Sequence, residues 1–74
     1  MNIYKITIRG QVDVNELNPT SPHQMSLIYV NPTKTMVTVC TDQSGLIGLL
    51  RHLHGLGLEL LSFKCEDAVI ERKM

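Results

Sequence analysis

Seventy-four residues, 43% apolar and 19% charged, describe one small globular domain, too short for a second core and too apolar for a disordered segment. Seven basic and seven acidic residues cancel, which removes the bulk attraction to phosphate backbones or anionic lipid that nucleic-acid and membrane-surface proteins display. The longest charge-free stretch is broken by Pro, Asn and Thr, so no membrane span is expected.

The chain opens on period-two alternation. Tyr4, Ile6, Ile8 and Val12 fall on one parity and Lys5, Thr7 and Arg9 on the other, which predicts a first strand with one buried and one wet face. The same interruption of apolar residues by Lys5, Thr7 and Arg9 does not suit a signal peptide, and a cytoplasmic protein is expected. Gly10 is the place for a bulge. Residues 15–22 hold two prolines and no helical period, which predicts a loop crossing to the second strand. That strand is expected over about 23–30 and the third over about 35–41. Asn31-Pro32-Thr33-Lys34 between them is a good turn, so the two form an antiparallel hairpin.

A helix comes next. Asp42 is placed to cap it, and at about 100° per residue Leu46, Leu49, Leu50, Leu53 and Leu56 lie within an arc of about 120°, with Leu50 central in the apolar stripe. Gly57 stands where a left-handed C-cap belongs. A fourth strand is expected over about 58–65, with Leu61, Phe63 and Cys65 on one face and Ser62 and Lys64 on the other; residues 67–74 extend it or fray. The sum is a single α+β domain over residues 1–74, a ferredoxin-like variant lacking the first helix, with order β-β-β-α-β. Its four-stranded antiparallel sheet is expected in the spatial order fourth, first, third, second, with one helix on one face and Lys5, Thr7, Arg9, Thr38, Ser62 and Lys64 on the open one.

The segment Asp42-Gln43-Ser44-Gly45-Leu46-Ile47-Gly48-Leu49-Leu50, with Leu53 and then Leu56-Gly57-Leu58-Glu59-Leu60-Leu61-Ser62, resembles a family of short uncharacterised bacterial proteins. Their pattern runs D-Q-x-x-L-x-G-L-L, then L or I, then L-G-L-x-L-L-S; the likeness covers about residues 38–63, with a looser match over 6–10. Family members often carry His where this chain has Ile47, so the resemblance implies no catalytic role at that position. It implies no activity either. More distantly, a strand ending in Asp, a Gly-Leu helix start and Leu-Gly before a strand is similar to the first half of an ACT domain. That likeness implies a regulatory module that dimerises and binds a small ligand such as an amino acid between subunits.

The chemistry-bearing residues read blandly. His52 and His54 are two apart, which on a helix turns them away from one another, so no zinc site is expected. Cys40 and Cys65 end the third and fourth strands, about 9–10 Å apart across the first and on opposite faces, too far for a disulfide, so two free thiols are expected. Cys40 precedes the helix carrying both histidines, but no orienting third group or oxyanion motif accompanies the pair; no enzyme, cofactor or metal is expected. Lys5, Arg9 and Lys64 share the open sheet face. Tyr4 and Phe63 read as core and Tyr29 as undecided, so that face lacks the exposed aromatics of RNA-recognition domains, and nucleic acid is not expected as a partner.

The helix's outer side is more informative. Gly48 and Gly55 lie there with Ser44 and Arg51, and glycine within a helix costs about 0.8–1 kcal/mol against alanine. Close approach by another backbone would account for them, unless Gly55 merely starts the helix's end. Ser44, Gly48, Arg51 and Gly55 are therefore the interface candidates, in a non-catalytic interaction module that forms a homo-oligomer or meets an unidentified protein partner. The alternative is an ACT-like regulatory module that binds a small ligand.

Overall fold

A computed structural model describes residues 1–66; the expectation for residues 67–74 lies outside them. Four strands, β1 (Asn2–Arg9), β2 (Ser26–Asn31), β3 (Lys34–Thr41) and β4 (Leu60–Cys65), form one antiparallel sheet in the order β2-β3-β1-β4. Two helices, α1 (Val14–Leu17) and α2 (Gln43–Gly55), lie in the connections β1–β2 and β3–β4. Each connection skips over the intervening strand, giving two split βαβ units, the ferredoxin-like topology. The segment predicted as a loop over 15–22 holds a single turn of α-helix, capped by Asp13 Oδ1 accepting from Asn15 N at 3.0 Å, and a 3-10 turn over Asn18–Thr20. The first helix of the topology is thus reduced to one turn.

Alternation places the core. Tyr4, Ile6 and Ile8 of β1 and Val37 and Val39 of β3 face the helix side, where Leu46, Leu49 and Leu53 of α2, Val14 of α1 and Met25 before β2 complete the cluster. The helix is rotated slightly from its expected phase. Leu49 and Leu53 are fully buried, Leu50 is half-buried at the margin, and Leu56 is half exposed as the C-cap. Both ends of α2 agree with the sequence. Asp42 Oδ1 accepts from Gly45 N at 2.7 Å, and Gly57, at φ +87°, lets its own N–H reach His54 O while Leu58 N reaches Leu53 O, a Schellman motif.

Gly10 is not a bulge. It leaves β1 in the left-handed region and donates its N–H to Thr33 O at 2.7 Å. The buried Thr35 hydroxyl fastens this exit, donating to Gly10 O at 2.8 Å and accepting from Val12 N at 2.9 Å. The bulges lie in the edge strands instead. Ile28 is the extra residue of β2, between Leu27↔Val37 and Tyr29↔Met36, and Leu61 is that of β4, between Ser62↔Thr7 and Leu60↔Ile8. Phe63, expected in the core, is a correction: it pairs with Ile6 on the helix side as alternation requires, but it stands on an edge strand and is 54% exposed. No helix among the described residues is long and apolar enough to cross a membrane.

Candidate functional site

The four residues singled out on α2 share one side of the helix. Ser44, Gly48, Arg51 and Gly55 recur at helical spacing on the exposed side, and a methyl group added at Gly48 or Gly55 would meet nothing within 4 Å. Gly55 is the last residue of the helix, so only Gly48 lies well inside it. Ile47, 44% exposed, stands beside it in sequence.

The histidines and cysteines do not converge. His54 is exposed; His52 is half-buried, with Nε2 shut off from solvent and without a hydrogen-bond partner among the described residues. Among the described residues no three His, Cys, Asp or Glu side chains form a group that could hold a metal ion. Cys40 pairs with Ile3 on the open face and Cys65 with Tyr4 on the helix side; both are free thiols. Cys40 is exposed and Cys65 half-buried, so a thiol reagent added to the native protein should modify Cys40 first, and both after denaturation. Simultaneous modification in the native state would show that Cys65 is as accessible as Cys40.

The open face of the sheet is built in cross-strand rows, because residues directly opposite one another in antiparallel strands share a face. One row runs Asn31, Lys34, Arg9; the next Tyr29, Met36, Thr7, Ser62; the third Ser26, Thr38, Lys5, Lys64. Arg9 Nε meets Glu59 Oε1 at 2.9 Å, and Lys5 Nζ meets Glu66 Oε2 at 3.3 Å. Tyr29, 47% exposed, accepts at its hydroxyl from Asn31 Nδ2 at 2.9 Å. Alternation alone assigns Lys5, Thr7, Arg9, Thr38, Ser62 and Lys64 to this face. It misses Tyr29, which the Ile28 bulge turns outward, and Lys34, which begins its strand one residue earlier than expected.

On the helix side, where α1 is only one turn long, a shallow groove of about 590 Å³ lies between α1 and β2, lined among others by Val12, Asn18, Met25, Leu27 and Val30. The Asn18 side chain closes one end, exchanging two hydrogen bonds with the backbone of Met25 at 2.9 and 3.0 Å.

No curated protein and no solved structure matches the chain. One family does, over residues 3–64, a span that takes in nearly all of the sheet and the whole of α2. The chain belongs to that family, described as Domain of unknown function (DUF8691).

Proposed function

We propose that the chain is a non-catalytic protein-interaction module that associates with a second copy of itself. The observation that carries this reading is the outer edge of β2. Ser26–Asn31 contains no charged residue, and Leu27, Ile28 and Tyr29 are 51%, 50% and 47% exposed in succession. An edge strand offers unpaired backbone N–H and C=O groups, and proteins guard such edges with lysines, prolines or bulges. The other edge, β4, carries Lys64 within the strand, whereas β2 has only its bulge. Two β2 strands meeting antiparallel across a two-fold axis bring no like charges together, and one patch serves both subunits. The outer side of α2, with Ser44, Gly48, Arg51 and Gly55, is the second surface to be weighed.

Sedimentation velocity over a wide concentration range tests the reading. A dimer is expected that Ile28→Lys dissociates and Gly48→Ala leaves intact. In that case Gly48→Ala raises stability by about 0.5–1 kcal/mol, because the methyl group fills open space and alanine favours the helix. Dissociation by Gly48→Ala instead would move the interface to α2, and a wild type that stays monomeric at the highest concentration would refute self-association.

The groove beside α1 supports a second reading, a regulatory module that binds a small ligand, since its volume falls within the range of ligand sites. A thermal-shift screen with amino acids and nucleotides tests it. A native-state ligand at 100 times its Kd stabilises by about 2.7 kcal/mol, a rise of roughly ten degrees or more in a domain of this size. No shift across the panel would end that reading.

A further inference from the structure

Among the described residues the neutral total conceals a separation of charge. Of Lys5, Arg9, Lys34, Arg51 and Lys64, all but Arg51 stand on the open face of the sheet. Asp13 and Asp42 cap helices, and Glu16 lies in α1. Glu59 and Glu66 flank the two ends of β4. The registers add a sharper point. Lys5 stands directly opposite Lys64, and Arg9 directly opposite Lys34. Like charges so placed, with β-carbons about 5 Å apart, destabilise a sheet. Glu66 and Glu59 offset one member of each pair, Lys5 and Arg9; among the described residues neither Lys34 nor Lys64 pairs with a carboxylate.

Lys34 and Lys5 lie two rows apart, which at about 3.4 Å per residue separates the cationic rows by roughly 13–14 Å. Midway between them runs the uncharged row in which Tyr29 and Met36 are neighbours, with the small polar Thr7 and Ser62 beyond. The face is thus an open platform with an exposed aromatic ring at one end and a cationic row on either side.

We infer that this open face binds single-stranded nucleic acid, with bases stacked on Tyr29 and Met36 and phosphates held by Lys34 and Arg9 on one side and Lys5 and Lys64 on the other. The charge pattern calls for a polyanion. The ring in the neutral row favours one with flat apolar faces, because base-on-aromatic stacking tolerates any sequence while an acidic peptide has nothing to place there. A duplex hides its base faces, so the single strand fits. Exchange of the two acids' ion pairs for phosphate contacts makes binding weak and strongly salt-dependent.

Fluorescence anisotropy with short labelled oligouridylate and oligodeoxyuridylate, which differ only in the sugar, titrated with the whole chain, tests this. Between roughly 50 and 200 mM salt the logarithm of the binding constant should fall with a slope of about −2 to −3, as three or four phosphate contacts on a single strand require. The double variant Lys34→Gln, Lys64→Gln should flatten that slope by about 1.4. Tyr29→Ala should weaken binding about tenfold and leave the slope unchanged. Its sedimentation is measured alongside, because Tyr29 also stands on the β2 edge. Preference for one oligomer over the other assigns the sugar; equal binding assigns the shared chemistry of phosphate and base. Absence of binding at the lower salt would overturn the inference. So would binding that Tyr29→Ala leaves untouched and polyglutamate displaces as readily as oligonucleotide, which would make the face a surface for acidic proteins.

Discussion

Leu49→Ala is expected to lower the stability of the domain by about 2–5 kcal/mol, the range for a buried leucine replaced by a cavity. Leu49 is fully buried at the centre of the stripe that α2 lays on the sheet, between Leu46 and Leu53 in the same cluster. A domain of this length has on the order of 4–11 kcal/mol to lose, so the variant stands near the edge of folding. Urea denaturation of wild type, Leu49→Ala and Leu50→Ala makes the test. Leu50 is half-buried and packs against the cluster's margin, so its truncation should fall below the lower end of that range. A greater loss at Leu50 than at Leu49 would mean that the helix is turned by about one residue, roughly 100°, from the orientation described.

Thr35→Val should cost about 1–3 kcal/mol although it preserves shape. Thr35 is fully buried, and its hydroxyl both donates to Gly10 O and accepts from Val12 N. Valine removes the group that joins these two backbone atoms and leaves both needing partners in a largely enclosed place. The loss should be local before it is global. Amide exchange at Val12 should quicken in Thr35→Val well below the unfolding transition, while Val37 and Val39 in the sheet keep their protection. Unchanged exchange at Val12, with full stability, would show that the hydroxyl is replaceable.

Features determined by neighbours along the chain are legible in the sequence. The alternation of β1, the Asp42 cap, the Gly57 terminus and the Asn31–Lys34 turn are all written within a few residues, and each is found where expected. The turn of α1 escapes such a reading because one helical turn shows no period and Pro19 and Pro22 interrupt the residues after it. Even so, Asp13 three residues before Glu16 is the spacing of a capping box. Phe63 and Tyr29 are harder. Phe63 keeps the face that parity gives it and is exposed because it lies on an edge strand, whereas the Ile28 bulge shifts Tyr29 against β3, a fact that belongs to two strands at once. The same reason hides the opposed pairs Lys5 with Lys64 and Arg9 with Lys34. Parity names the residues of a face, but only register says which stand together.

The position of β1 between β3 and β4 bears on how the chain acquires its structure. Its pairing to β4 joins Tyr4 to Cys65, so β1 cannot gain its second neighbour until the strand some sixty residues behind it has been made. The β2–β3 hairpin and α2 can form early from local contacts, whereas closing the sheet requires a loop of some sixty residues, the kind of distant pairing that slows folding. Until then Ile6 and Ile8 sit in a strand with an open side. A chain cut short before Leu60 would be left with that side permanently unpaired, turning an interior strand into an edge.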